Sequence, residues 1–206
     1  MDERAVILAN GDFPVHGIPL RILMEARHLI CCDGSAGDLI SAGVIPEAIV
    51  GDLDSIEKAI ADRYPDRIFS DNDQETNDLT KSVKWCLRNG YRDLIILGAT
   101  GRREDHTVGN ISLLAEYARE ANVEMVTNTG TFIPYLKSCI VPSHKGQPVS
   151  VFCIDPENEI SSSGLKYPLR RLKLKNWWMA TLNEATGDSF TLTFNGGPVI
   201  VYRKFA

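Results

Sequence analysis

The sequence predicts an α/β protein, with a mostly parallel sheet covered by helices in its N-terminal two-thirds and a small antiparallel β unit after it. Three observations carry that prediction. Short apolar runs at Ala5–Ala9, His28–Cys32, Ala48–Val50 and Asp93–Leu97 alternate with segments of helical spacing. The first three run into turns of small or acidic residues, NGDFP from Asn10, DGSAG from Asp33 and GDLDS from Gly51. From about residue 130 the helical period is gone, and strand-like runs are separated by Pro, Gly, Ser and Asn.

The elements follow in order. Ala5–Ala9 is a buried strand broken by Asn10-Gly11. Ile18, Ile22, Leu23 and Ala26 share one helical face over Ile18–Arg27, and His28–Cys32 is the second strand. Ser35–Ala42 reads as a helix with Gly43 after its end, and Ala48–Val50 as a third strand. Ile56–Tyr64 is expected to be a helix capped by Ser55 or Asp54, and Arg67–Ser70 a short strand. Leu79–Arg88 follows as a helix capped by Thr76, Asn77 or Asp78. Asp93–Leu97 is the clearest buried strand, and Val108–Ala121 and Glu124–Asn128 supply a further helix and strand. Alternation of this length gives a Rossmann-like parallel sheet, with ligands at the C-terminal ends of its strands.

The C-terminal third reads as strands at Thr131–Leu136, Val149–Ile154, Trp177–Thr181, Phe190–Phe194 and Pro198–Tyr202, a sandwich or partly open barrel. The expected division is 1–134 for a catalytic domain and 135–206 for a β domain. The latter is small for an independent core and is expected to dock on the first domain or on a second subunit.

A net charge of −5 argues against broad binding to nucleic acid or anionic membranes. No basic-then-apolar leader opens the chain and no apolar run reaches membrane-spanning length, so the cytoplasm is the expected compartment. The cysteines at 31, 32, 86, 139 and 153 show no CxxC or Cys/His ligand spacing and read as free thiols.

The chemistry concentrates in the turns. In GDLDS, Asp52 and Asp54 have one residue between them, so their carboxylates point the same way and favour a cation between them. Oxygen ligands of this kind suit Mg²⁺, which completes its shell with water and substrate phosphates. The same residues also make an ordinary turn and helix cap. DNDQETND, Asp71–Asp78, reads either as an acidic helix start or as a third acidic contribution, with Asp78 best placed at the helix entrance. After Leu97, GATGRREDHTVGN offers Gly98 and Gly101 for a tight turn and Arg102, Arg103 and His106 for charge. No Walker A loop and no GxGxxG fingerprint is present. Tyr167, Trp177 and Trp178 read as sheet core, interface or a stacking surface. Lys166, Arg170, Arg171, Lys173 and Lys175 form a basic run that is usually a solvated face.

Taken together, NGDFP, CDGSAGDLISAGVIPEAIVGDLDS, DQETNDLTK, GATGRREDHTVGNISLL, SGLKYPL and TLNE resemble the thiamine pyrophosphokinase family over most of the chain and in the right order. The resemblance implies an α/β catalytic domain, a C-terminal β domain, and a homodimer with thiamine bound between subunits. It implies Mg²⁺ on Asp52, Asp54 and Asp78, with ATP as co-substrate. Asp54, Asp78, Arg103 and Asp105 are implied around the reacting centre, and Asp33, Gly34, Gln74, Asn77, Arg103 and His106 around the nucleotide. Thr181, Leu182 and Asn183 are implied near thiamine. Leu182 stands where the family often has Ser, Asn77 where it often has Thr, and Arg102 where a second Gly is usual. Transfer of a pyrophosphoryl group from ATP to thiamine is the implied reaction. A different Mg²⁺-dependent nucleotide transferase and a non-catalytic nucleotide or thiamine-binding regulator are the rival readings.

Overall fold

The computed structural model describes residues 4–206. Its contacts divide into two units, one running through Ile111 and taking in Glu120–Asn128, the other made of Ser112–Arg119 and Thr129–Ala206.

In the first unit β1 (Arg4–Leu8), β2 (His28–Cys32), β3 (Ala48–Gly51), β4 (Ile68–Ser70), β5 (Asp93–Leu97) and β6 (Asn122–Val126) lie in the order β4-β3-β2-β1-β5-β6. Every pairing among them is parallel. The strands are apolar runs rather than alternating ones because both faces are covered, and Ile7, Ile30, Ile49, Leu94 and Ile96 are all 0% exposed. Each such side chain contributes roughly 1.5–3 kcal/mol on burial. The helices are α1 (Gly17–Met24), α2 (Ala36–Ser41), α3 (Lys58–Arg63), α4 (Asp78–Arg88) and α5 (Glu104–Tyr117), the last divided between the units.

The chain steps outward from β1 through β2, β3 and β4, then returns to place β5 and β6 on the other side of β1. That reversal makes the C-terminal ends of β1 and β5 the switch point of the sheet, where ligands bind in folds of this kind. The loops leaving these strands run on together. Ala9 N–H donates to Leu97 O at 2.8 Å, and Asp12 N–H to Thr100 O at 2.8 Å.

In the second unit β12 (Asn183–Glu184), β9 (Pro148–Cys153), β14 (Val199–Lys204) and β7 (Gly130–Tyr135) form one antiparallel layer. β11 (Leu172–Lys173), β10 (Glu159–Ser163), β13 (Ser189–Thr193) and β8 (Cys139–Pro142) form the other. Residues alternate along the strands, so Val149, Val151 and Cys153 meet Ile160, Phe190 and Leu192 in a single apolar cluster. Of the two expected architectures, sandwich or partly open barrel, this is the sandwich.

Several local expectations change. The contacts divide the chain at Asn128 and Thr129, whereas a boundary at residue 134 falls inside β7. Trp177–Thr181 is no strand: Trp177–Ala180 is a 3-10 turn, closed by Met179 N–H to Asn176 O and Thr181 N–H to Trp178 O, both at 3.2 Å. The β preference of aromatic residues reflects packing on a pleated surface, and here the chain satisfies its backbone locally instead. Helix α3 starts at Lys58, later than expected, because Asp54 and Ser55 are otherwise engaged. Asp54 N–H donates to Asp52 Oδ1 at 3.3 Å and Ser55 Oγ donates to Asp54 Oδ1 at 3.0 Å. Helix α5 starts at Glu104, four residues before the expected Val108, which puts Asp105 and His106 in its first turn.

Candidate active site

Asp33 directly follows β2 and opens a 3-10 turn, and its side chain is the anchor of the site. The residue is 2% exposed. Its Oδ1 accepts the Gly34 N–H at 2.7 Å and its Oδ2 accepts the Leu53 N–H at 2.9 Å. Burial and then the nearby Asp78 carboxylate push its pKa above the usual aspartate range, although both N–H bonds pull the other way. Leu53 sits at φ 70°, in the left-handed region, and this folds the GDLDS turn back over Asp33.

One carboxylate oxygen from each of Asp33, Asp52 and Asp54 therefore falls within 4.8 Å of the others. The sequence suggested Asp78 in that company with Asp52 and Asp54. Instead, Asp78 Oδ1 accepts from the Lys81 ammonium at 2.9 Å, one turn along α4, while Lys81 Nζ lies 3.7 Å from Asp52 Oδ2. Lys81 is 3% exposed. Burial alone would lower its pKa, but the bond to Asp78 and the charges of Asp78 and Asp52 more than offset this and raise it. Asp52 is held below the usual range, first by the Asp54 N–H and also by Lys81. Four carboxylates, Asp33, Asp52, Asp54 and Asp78, with one internal cation leave an uncompensated negative charge, and the hard oxygen donors grouped in the triplet fit a divalent cation.

A cavity of about 360 Å³ opens beside these groups, within the range of small-ligand sites. Asn10, Ser55, Asp78, Arg102, Arg103 and His106 are among its lining. Its carboxylate is Asp78, at the start of α4, GDLDS contributes Ser55, and the basic groups come from the loop after β5 and the first turn of α5. Asn77 caps α4 by accepting the Thr80 N–H at 2.9 Å, which settles the choice among its three candidate caps. Its amide also donates to Asn110 Oδ1 at 3.0 Å, and Asn110 donates to Ala99 O at 2.9 Å, so one chain of amides ties α4 to the loop after β5. Arg103 grips Asp105 through Nε at 3.1 Å and Nη2 at 2.5 Å. That grip, foremost, brings the Asp105 pKa down to about 2.

Other expected residues lie elsewhere. Gln74 is exposed in the turn before α4 and is not among the cavity's lining. Asp71 and Asp73 act as turn formers: Asp71 accepts the Asp73 N–H at 3.1 Å, and Asp73 the Glu75 N–H at 2.9 Å. In the second unit Asn183 is 4% exposed, donating to Tyr167 O at 2.7 Å and accepting from Tyr167 N–H at 3.1 Å. It braces the loop before β11. Beside it Leu182 is 89% exposed at φ 58°, and Thr181 donates to Trp178 O at 2.8 Å. Trp178 is exposed, and Trp177 packs against Phe152. Three residues of the basic run are paired, Lys166 with Glu184, Arg171 with Glu159 and Lys173 with Glu157.

Sequence reading missed Lys81, Asn110 and Asn10. Lys81 had a signal, since a Lys three residues after Asp78 shares its helix face. Asn110 had none, because its partners come from distant segments.

Acidic and basic groups facing each other across a cavity at the switch point of a parallel sheet define a phosphate-handling α/β protein. The particular family follows from comparison with known proteins. The family described as "Thiamin pyrophosphokinase, catalytic domain" matches residues 20–127, and that described as "Thiamin pyrophosphokinase, substrate-binding domain" matches residues 130–202. The chain belongs to the thiamin pyrophosphokinase family. Similar proteins include Thiamin pyrophosphokinase 1 of Caenorhabditis elegans, 26% identical over 79% of this chain and 73% of that protein. Thiamine pyrophosphokinase of Bacillus subtilis is 26% identical over 81% of this chain and 82% of its own. Its fold is shared too: a crystal structure of the Bacillus subtilis protein superposes with a TM-score of 0.80 at 24% identity, over 98% of both chains. The yeast enzyme's crystal structure does so with a TM-score of 0.78 at 17% identity, over 100% of this chain and 87% of that one.

Proposed function

We propose that this chain is an enzyme that transfers the pyrophosphoryl group of ATP to the hydroxyl of thiamine, giving thiamine diphosphate and AMP. The observation that carries the reading is the carboxylate triplet Asp33, Asp52 and Asp54, whose chain neighbours Cys32 and Ser55 line a cavity together with Asp78, Arg102, Arg103 and His106. Family membership supplies the substrates. In this reading the first unit binds ATP and carries catalysis, and the second binds thiamine.

The hydroxyl oxygen of thiamine attacks the β-phosphorus in line, the bond from that phosphorus to the oxygen bridging to the α-phosphorus breaks, and AMP leaves. Positioning and charge neutralisation dominate such a reaction. Asp52 and Asp54, with Asp33 beneath them, would hold Mg²⁺, which when bound clamps phosphate oxygens and neutralises their charge. Asp33 keeps the turn in place through Leu53. Lys81 balances Asp78 and Asp52, keeping Asp78 at the cavity without adding another uncompensated charge. Arg103 stabilises negative charge developing on the phosphates. Asp105 accepts two bonds from Arg103, which hold its carboxyl in the charged form. Its role is to orient the hydroxyl and to aim Arg103, and the proton leaves to solvent or phosphate.

The exposed Trp178, Tyr167 and Leu182 of the second unit favour a homodimer in which this surface is covered and thiamine is bound at the interface. Among the described residues no helix is long and apolar enough to cross a membrane. A cytoplasmic location fits the reading.

Incubation with Mg²⁺, ATP and thiamine, with AMP and thiamine diphosphate followed by chromatography, tests the proposal. Equimolar appearance of the two supports it. ADP with thiamine monophosphate would mean a simple kinase, and no product despite binding of both ligands would mean a regulator.

A further inference from the structure

Arg102 occupies a backbone position that favours glycine, at φ 56°, and an arginine there costs free energy unless the side chain repays it. Its guanidinium reaches away from its own loop to two other segments. Nη1 donates to Asn10 Oδ1 at 2.7 Å, in the loop after β1, and Nη2 donates to Asp38 Oδ2 at 2.6 Å, on α2. Asn10 is itself seated on Gly34, where an added Cβ would overlap its side-chain amide. Arg102, Asn10 and the adjoining Arg103 all line the cavity, while Asp38 does not.

An exposed pair such as Arg102–Asp38, with side chains 46% and 50% exposed, contributes little to stability, so the pair does not account for the strained backbone. What distinguishes the position is its reach: a planar fork of donors, preset across the loops after β1 and β5, in the lining of the cavity that Asp78 and Arg103 share. We propose that Arg102 is a nucleotide-binding residue, a clasp whose guanidinium exchanges Asp38 for the phosphate chain of a bound nucleoside triphosphate while keeping its bond to Asn10. This rests on the proposed function, because it takes the cavity to be the nucleotide site. It assigns Arg102 to nucleotide affinity and leaves the transfer step to the groups named above.

The exchange separates a ligand contact from a structural pair. The test is calorimetric titration with α,β-methylene-ATP and Mg²⁺, an analogue that resists cleavage at the bond proposed to break. R102G relieves the strained backbone and folds, yet should bind roughly tenfold more weakly, the scale of one charge-assisted hydrogen-bonded contact. R102K should fall between R102G and wild type. D38N removes the competitor and should bind as tightly as wild type or tighter. Equal affinity of R102G and wild type would overturn the proposal, as would D38N weakening binding as much as R102G. If the wild-type protein binds no analogue at all, the nucleotide site itself has been misplaced, a result distinct from either of these.

Discussion

The Leu53 N–H donates to Asp33 Oδ2 across 2.9 Å, joining two acidic segments that lie 20 positions apart in sequence. This bond turns Asp52 and Asp54 toward a buried carboxylate instead of into the cap of α3. It also depends on Gly51, where an added Cβ would overlap the Asp33 carboxyl group.

Gly51→Ala should therefore unseat Asp33 and scatter the triplet. The expected outcome is a fold retained with Mn²⁺ binding, followed by electron paramagnetic resonance, weakened roughly tenfold or more. Unchanged binding would show that the triplet does not hold the cation.

Asp54→Asn keeps size and most hydrogen bonds but removes one charge from an exposed position. Circular dichroism should be unaltered while turnover falls by roughly a hundredfold or more, on the scale seen when a group stabilising transition-state charge is removed. Near-normal turnover would remove Asp54 from the metal site.

Lys81→Met removes the buried ammonium from between Asp78 and Asp52. Leaving paired carboxylates without their cation should cost about 1–3 kcal/mol, less than for a fully buried pair because Asp52 and Asp78 are partly exposed. Thermal unfolding with and without Mg²⁺ measures this. Mg²⁺ should stabilise the variant more than the wild type, and equal gains would separate Lys81 from the cation site.

At the opposite, N-terminal ends of the strands, the Tyr91 hydroxyl donates to Glu47 Oε1 at 2.9 Å, with His28 Nδ1 2.8 Å away. Burial, then the bond to Glu47, raises the Tyr91 pKa from 10.0 to about 12. Because the folded state holds this proton more tightly, the stability it contributes is whole below pH 10.0 and is lost as pH rises toward about 12. Tyr91→Phe should flatten that part of the alkaline decline in urea-unfolding free energy. Identical slopes for the two proteins would refute the assignment.

The sheet was legible because its strands are short apolar runs of the right length, and parallel strands buried on both faces leave that pattern regardless of what pairs with what. The short polar strands of the second unit were not. β10, Glu159–Ser163, and β12, Asn183–Glu184, are strands because partners from elsewhere in the chain pair with them, and nothing in Ser161-Ser162-Ser163 announces it. Trp177–Ala180 erred the other way, with a strong local preference and no ladder to join.

By itself, the sequence determined the class of fold, the acidic and basic turns at the strand ends, and the family, since these depend on residue types at fixed local spacing. Only the tertiary structure decided which carboxylates lie together. Asp33 joins Asp52 and Asp54 through the Leu53 turn, Asp78 turns to Lys81, Asn183 braces its own loop, and Arg102 spans to Asp38. Each of these rests on a hydrogen bond or charge pair whose geometry is set by the folded backbone, and local sequence pattern carries no record of such distances.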